Sequence, residues 1–289
     1  MIVDAHTHAF PPAIVDRREQ LLQIEPTFAE LYANPRARLA TADDVLGTMT
    51  HTNVDATVIA GFAWQDPALC REHNDYLLRA AEASAGRLLA FCTLPLGDPE
   101  AARVEMVRVA RGGARGLGEL RPESQSASLA NPATSELLAW ASEAYDLPLL
   151  VHASEPVGHG YPGKSGQSLG PLYDFICDHE DVHVIAAHWG GGLPFYALMP
   201  EVRIALRNVW VDTAATTLLY DAAIFQLVAR LIGPERILFG SDYPLLSPKA
   251  QIAFIADAPL SDAERRAVLG ENAASLLHLP LSQVEAAGS

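Results

Sequence analysis

Short runs of Val, Ile and Leu recur along the whole chain, and segments with helical periodicity separate them. The runs lack the regular alternation of polar and apolar residues that is typical of a half-exposed strand. Strands that are buried on both faces, as in a parallel sheet covered by helices, have this pattern instead. We therefore predict strands over residues 2–5, 56–60, 88–93, 114–117, 147–151, 182–187, 209–212 and 237–239.

The segments between the strands carry helix signals. Residues 134–145 have apolar positions at helical spacing behind Asn131-Pro132, and Ser261 with Glu264 matches a capping box that opens a C-terminal helix. Eight strands alternating with helices predict an α/β fold, a (β/α)8 TIM barrel, with residues 1–289 as a single domain. A doubly wound sheet is the alternative, but no GxGxxG motif follows the first strand.

Two connections are longer than one helix requires. Residues 10–53 form a long insertion after strand 1, and residues 155–170, which are rich in glycine and proline, follow the fifth strand. Long connections in compact domains are often lids or binding loops. We expect both segments to lie near a functional site.

Composition narrows the class of protein. Hydrophobic residues make up 49% of the chain and charged residues 19%, which is typical of a globular protein and excludes a disordered one. A formal net charge of −15 would repel phosphate backbones and anionic lipids, so we expect neither nucleic acid nor membrane as a partner. Without a signal peptide, a long apolar run or a disulfide-like cysteine pattern, the sequence predicts a cytoplasmic protein with a small-molecule substrate. A homo-oligomer stays open.

Metal-ligand side chains recur at the ends of the predicted strands. His6 and His8 are two positions apart, so both imidazoles point to the same face of an extended strand. His152, His188 and Asp242 follow the fifth, sixth and eighth predicted strands. Because barrel enzymes place their functional residues at the C-terminal ends of the strands, these side chains predict a divalent metal site. Imidazole and carboxylate ligands suit Zn2+ first, with Mn2+, Fe2+ or Co2+ as alternatives.

A carboxylate and a guanidinium follow the fourth predicted strand. Glu119 could bridge two metals or bind substrate, or it could pair with a nearby arginine. Arg121 lies two residues further on and could hold a substrate carboxylate with two hydrogen bonds, or it could be the partner of Glu119. We expect Asp4 to orient a ligand histidine rather than to bind metal.

Four further residues are candidate substrate contacts. His159, Tyr161 and Lys164 lie in the connection that follows His152, where they contact substrate or are solvated loop residues. Trp189 follows His188 and either lines a pocket or packs in the core. The remaining histidines have no ligand context and are predicted to lie on the surface: His51, His73, His179, His183 and His278.

The order His-x-His, Glu, His, His and Asp on successive strand ends resembles the amidohydrolase superfamily of metal-dependent barrels. Residues 188–191 (HWGG), 240–244 (GSDYP) and 270–274 (GENAA) are similar to the branch that includes aminocarboxymuconate-semialdehyde decarboxylase and related aromatic-acid decarboxylases. The resemblance covers essentially the whole chain. It implies metal ligands at His6, His8, His152 and Asp242, with His188 as a further ligand or a substrate contact.

The resemblance also bears on the number of metals. Some binuclear relatives use a carboxylated lysine on the fourth strand, and this chain has no lysine before Lys164. Glu119 instead resembles the glutamate that TatD-like nucleases carry there. We favour one tightly bound metal, with Glu119 as a possible bridge to a second, weaker site.

This set of residues has two catalytic interpretations. Zn2+ lowers the pKa of its bound water to about 7, after which Asp242 could transfer a proton and His188 could stabilise a developing oxyanion. The first hypothesis is therefore a hydrolase of small amides, esters or lactones. The alternative is a non-oxidative decarboxylase of a small aromatic or unsaturated acid at the same site. A structural metal in a binding protein would instead be closed by four protein ligands.

Overall fold

A computed structural model describes residues 1–164 and 169–280. Its strands form one parallel sheet in chain order, which confirms the TIM barrel. The barrel closes because Thr7 pairs in parallel with Tyr243, and the amide of Ala5 donates to the carbonyl of Phe239 over 2.7 Å. The strands are β1 Val3–His8, β2 Ala56–Ala60, β3 Leu88–Cys92, β4 Gly116–Leu120, β5 Leu149–Val151, β6 Val184–Ala186, β7 Val209–Asp212 and β8 Ile237–Leu238.

Helices surround the barrel and fill the long insertion after β1. Those in the insertion are α1 Pro12–Asp16, α2 Arg18–Ile24, α3 Pro26–Tyr32 and α4 Ala42–Thr52. The others are α5 Pro67–Ala83, α6 Pro99–Arg111, α7 Pro132–Tyr145, α8 Leu169–Asp178, α9 Ala187–Gly190, α10 Pro200–Ala205, α11 Thr216–Leu219, α12 Ala223–Ile232, α13 Pro248–Ala256, α14 Asp262–Arg266 and α15 Asn272–Leu276. In the part of the chain that the structure describes, no helix combines the length and hydropathy needed to cross a membrane.

Local sequence explains where the outer helices begin. Asp66, Asp98 and Asn131 precede α5, α6 and α7, and each side chain accepts a hydrogen bond from a backbone amide of the first turn. A proline follows each of these residues, and its fixed φ suits the first helical position, where no amide donor is needed. The predicted capping box at Ser261 and Glu264 is present as well.

Apolar side chains form separate layers inside and outside the barrel. Val3, Phe91, Leu150 and Leu238 belong to the cluster that fills the interior, and the C-terminal residues 276 and 277 complete it. A larger buried cluster packs the strands against the surrounding helices. Because the interior is filled below, the chemically active side chains lie at the opposite end, where the strands terminate.

Two strands extend further than the pattern predicted. β1 continues through His8 instead of ending at Ala5, and β4 covers Gly116–Leu120 instead of 114–117. Between Asp4 and Thr7 the register of β1 shifts by one residue relative to β2, so Ala5 and His6 form a bulge opposite Val58. These strands continue into polar side chains that face the interior, which is why hydrophobic runs alone placed their ends too early.

Candidate metal centre

Four donor side chains converge where β1, β4 and β8 end. The Nε2 atoms of His6 and His8 lie 3.3 Å apart. Nε2 of His8 is 3.6 Å from Oε2 of Glu119 and 3.6 Å from Oδ1 of Asp242. His6 is fully buried and the other three side chains are 10–12% exposed, so the donors face a small, nearly dry space.

Glu119 connects this group to two histidines from β5 and β6. Its Oε1 is 2.8 Å from Nδ1 of His152 and 3.5 Å from Nε2 of His188. The donors form two triads, His6–His8–Glu119 and Glu119–His152–His188, and within each the ligand atoms lie within 4.8 Å of one another. Imidazole nitrogens and carboxylate oxygens at this spacing fit a divalent metal. Glu119 belongs to both triads, which is the position that a bridging carboxylate would take.

Asp212, at the end of β7, organises the centre and was not singled out from the sequence. Its Oδ2 is 2.8 Å from Nδ1 of His6, so the Nε2 atom of that imidazole faces the other donors. Its Oδ1 accepts from the amides of His188 (2.9 Å) and Ala214 (3.0 Å). The role expected of Asp4 was therefore wrong in detail, because Asp4 accepts from the backbone amide of His6 and not from an imidazole.

The backbone around the centre has uncommon conformations. His188 and Asp242 have φ values of 54° and 60°, in the left-handed region that side chains other than glycine seldom adopt. The amide of Asp242 donates to the carbonyl of His6 over 2.9 Å, which fixes the start of its turn against β1. At Gly240 a Cβ atom would lie 2.9 Å from Cβ of His6, so only glycine allows this close approach.

The electrostatics of the cluster favour a cation. Burial opposes a charge on His6, but the carboxylates of Asp212, Glu119 and Asp242 outweigh burial and raise its pKa to about 10. Burial likewise opposes ionisation of Glu119, yet the neighbouring His152, His188 and His6 hold its pKa well below the usual range. Burial lowers the pKa of His8 and of His152, which keeps both imidazoles neutral and able to bind a metal.

The structure places the candidate substrate contacts at different depths. Arg121 is buried beside the centre, and its Nη2 donates to the carbonyl of Gly163 over 3.0 Å, while Nε2 of His152 lies 3.1 Å from the same oxygen. Tyr161 donates to Glu155, and Lys164 donates to carbonyls of its own loop. The ring of His159 lies 5.6 Å from that of Tyr161. Of this predicted connection, residues 165–168 lie outside the described part of the chain.

Two further ring-bearing side chains, Trp189 and His73, lie in the core. Trp189 is fully buried, its indole packs on Phe225 of α12, and its Nε1 donates to Thr216, so of the two predicted alternatives the structure has core packing. His73 is fully buried as well, although it was predicted on the surface. It lies on the inner face of α5, where it accepts from the indole of Trp64 (3.0 Å) and its Nε2 lies 2.7 Å from the carbonyl of Ala9.

The other histidines without ligand context have partly the expected exposure. His51 and His278 are exposed, whereas His179 and His183 are half-buried. His179 shares a hydrogen bond of 2.8 Å with Ser135, which explains its partial burial. None of these four belongs to the two metal-ligand triads found in residues 1–164 and 169–280.

Comparison with known proteins places this geometry in context. The amidohydrolase family profile matches residues 3–279. The chain is 26% identical to gamma-resorcylate decarboxylase of Rhodococcus jostii, over 73% of this chain and 77% of that protein. It is 26% identical to 6-methylsalicylic acid decarboxylase of Aspergillus aculeatus, over 96% of both chains.

Solved structures with the same fold include two further decarboxylases. 5-Carboxyvanillate decarboxylase of Sphingomonas paucimobilis superimposes with a TM-score of 0.80 at 18% identity, over 96% of this chain and 99% of that one. A dihydroxybenzoic acid decarboxylase of Polaromonas sp., with bound manganese and the inhibitor 2-nitroresorcinol, gives a TM-score of 0.74 at 17% identity over 96% and 97% of the two chains. At these identities the superpositions establish the shared barrel fold.

Proposed function

The chain belongs to the amidohydrolase family, and on that basis we propose that it is a metal-dependent, non-oxidative decarboxylase of hydroxylated aromatic acids, with residues 1–289 as one domain. The observation that carries the proposal is that six donor side chains, from five strands and the residues that follow them, converge on one buried space: His6, His8, Glu119, His152, His188 and Asp242. The relatives described above act on benzoates that carry a hydroxyl beside the carboxylate. They support the decarboxylase alternative over the hydrolase that the residue pattern alone favoured.

We propose ligand roles for these side chains. His6, His8, His152 and Asp242 would hold the divalent metal, and Glu119 would contact it or a second ion through its shared position. The bound metal supplies a positive charge for the carboxylate and the adjacent phenolic oxygen of the substrate. Manganese in a structural neighbour makes Mn2+ a candidate beside the Zn2+ expected from the ligand types.

Asp242 and His188 are the proposed proton-transfer residues. In the proposed reaction, Asp242 gives a proton to the ring carbon that bears the carboxylate, and a hydroxyl on the neighbouring carbon makes that ring carbon electron-rich. The bond to the carboxylate then breaks, its electron pair returns to the ring, and carbon dioxide leaves. His188, 3.5 Å from Glu119, would return a proton to the site from water.

Arg121 is the proposed partner of the substrate anion. Its guanidinium is buried beside His152 and holds the carbonyl of Gly163, so it already binds an oxygen acceptor at the edge of the centre. A planar guanidinium can bind a carboxylate with two hydrogen bonds. His159, Tyr161 and Lys164 remain proposed contacts of the surrounding loop.

The test is a direct comparison of the two reactions. Purified protein loaded with Mn2+ or Zn2+ is incubated with 2,6-dihydroxybenzoate, 6-methylsalicylate and 5-carboxyvanillate, and carbon dioxide and the phenolic product are measured. Parallel reactions contain aryl esters, lactones and amides, and chelator-treated protein is the control. Metal-dependent carbon dioxide release supports the proposal, whereas hydrolysis without carbon dioxide release from any acid would contradict it.

A further inference from the structure

An aromatic cluster lies beside the metal-ligand side chains at the mouth of the barrel. Phe10 follows His8 by two residues and Phe62 follows the end of β2 by two residues, so both extend from strands that build the centre. Tyr32, the last residue of α3, packs against both rings, with centroid distances of 5.4 Å to Phe10 and 6.1 Å to Phe62. Phe28, one turn earlier, lies 4.9 Å from the Tyr32 ring. The insertion therefore adds the half-buried ring of Tyr32, packed on three buried aromatic rings, close to the end of β1.

The backbone of Tyr32 is fixed at this position by neighbouring contacts. Arg18 donates from Nη2 and Nε to the Tyr32 carbonyl, over 2.5 and 3.2 Å. Glu30 accepts from the amide of Gly163 over 2.9 Å, and the carbonyl of that glycine lies 3.1 Å from Nε2 of His152. The end of α3 therefore reaches the β5 side of the mouth, where Gly163 links it to His152.

The segment after α3 continues to the other side of the mouth. Nη2 of Arg38 lies 3.4 Å from the hydroxyl of Tyr243, the residue after Asp242. Tyr32 thus lies in a segment with one contact on the β5 side and one on the β8 side. Burial raises the pKa of Tyr32, and the charges of Asp242 and Glu119 raise it further, which agrees with this position.

The Tyr32 hydroxyl has no hydrogen-bond partner within residues 1–164 and 169–280, in contrast to the hydroxyls of Tyr76 and Tyr161. The hydroxyl of Tyr76 accepts from the amide of Ala42 over 2.8 Å, and that of Tyr161 donates to Glu155 over 2.8 Å. A half-buried hydroxyl beside ligand side chains is most useful when it bonds to whatever enters the site. With its raised pKa the phenol stays protonated and can donate.

We infer that Tyr32 contacts the substrate: its ring, which the buried Phe10 and Phe62 support from behind, forms the wall against which the aromatic ring of the acid packs, and its hydroxyl donates to an oxygen of the anion. The inference rests on the proposed function and deepens it, because it selects an aromatic acid over an aliphatic unsaturated one. Offset or edge-to-face packing of aromatic rings provides the selectivity.

The test uses Tyr32→Phe, which removes the hydroxyl and keeps the ring. Because the hydroxyl has no protein partner in the described chain, thermal stability and metal content should equal those of the wild type. A hydrogen bond to an anion is worth enough that kcat/KM for 2,6-dihydroxybenzoate should fall at least about tenfold. The Kd of 2-nitroresorcinol, measured by calorimetry on the Mn2+-loaded protein, should rise by a similar factor. Tyr145→Phe, on α7 against Trp140, is the matched control and should change neither quantity.

A second variant and the ligand-binding measurements separate this inference from the proposed function. In Tyr32→Leu the ring is lost as well, so binding of 2-nitroresorcinol should weaken beyond the loss in Tyr32→Phe. If the wild type releases no carbon dioxide, the proposed function fails, but the change in the Kd of 2-nitroresorcinol still decides the role of Tyr32. Values of kcat/KM and Kd for Tyr32→Phe within twofold of the wild type would overturn the inference.

Discussion

Replacing Asp212 by asparagine tests the electrostatic design of the centre. The side chain keeps its shape and can still accept from the amides of His188 and Ala214, but it loses the charge that faces Nδ1 of His6. Burial opposes protonation of that imidazole, and Asp212 is the largest of the carboxylate influences that outweigh burial and raise its pKa to about 10. In Asp212→Asn the pKa of His6 should therefore fall well below that value.

The size of the effect follows from proton competition. At pH 7, which is about three units below the pKa of His6, the protonated form of the metal-free imidazole outnumbers the neutral form roughly a thousandfold. A metal that binds Nε2 must release that proton, so the apparent affinity of the wild type should rise about tenfold per pH unit as the pH increases. His8 and His152 add little slope above pH 6.5, because burial lowers the pKa of each. Loss of the supporting carboxylate should also weaken metal binding about 10–100-fold.

Calorimetry of Mn2+ binding measures both quantities. Titrations at pH 7.5 in two buffers of different ionisation enthalpy give the number of protons released, and a series from pH 6.5 to 8.5 gives the slope. The variant should release close to one proton fewer than the wild type, whereas Asp257→Asn, at an exposed carboxylate, should match the wild type. Equal proton release by the wild type and Asp212→Asn would refute the reasoning, because the proton would then not depend on Asp212.

Three further outcomes are expected. Asp242→Asn should lower decarboxylation by at least the 10²–10⁴-fold that is typical of lost acid–base catalysis, with an unchanged circular dichroism spectrum; near-full activity would remove Asp242 from the mechanism. Glu119→Gln should bind one Mn2+ in a metal titration; two equivalents in the wild type would establish Glu119 as a bridge, and one equivalent in both proteins would support the mononuclear site. Burial lowers the pKa of His73 to about 4, whereas the same imidazole in the unfolded chain titrates near 6.5. Below pH 6.5 the unfolded chain therefore binds more protons than the folded protein. The stability that is present above pH 6.5 is lost as the pH falls toward 4. The loss should reach roughly 3 kcal/mol, at about 1.4 kcal/mol per pKa unit, and denaturant titrations of His73→Gln should lack this part of the pH dependence.

Much of the architecture is local in origin and could be predicted. The hydrophobic runs at residues 56–60 and 209–212 coincide with β2 and β7, because these strands are buried on both faces and end where the apolar run ends. The positions of His152, His188 and Asp242 after strands were equally visible. Parallel strands in a barrel bring such residues to one end whatever the details of packing.

The features of the site that the sequence did not predict depend mainly on contacts between distant segments. Asp212 and His6 are 206 residues apart, and nothing local distinguishes a carboxylate that supports an imidazole from one that merely ends a strand. Tyr32 lies against Phe10 and Phe62, beside the ends of β1 and β2, only because the insertion folds back onto these strands. His73 could have been found, since Leu69, His73 and Leu77 lie four residues apart along one face of α5.

The two ends of the described chain come together on the face of the barrel opposite the metal-ligand side chains. Met1 and Leu279 both pack on the cluster that fills the barrel interior, and a Cβ atom at Gly270 would lie 2.5 Å from the carbonyl of Met1. A carrier protein or surface tether attached before Met1 would therefore start on the far side from the mouth. Immobilised enzyme of this kind would present its open end to the solution, and an N-terminal fusion should leave substrate entry unobstructed.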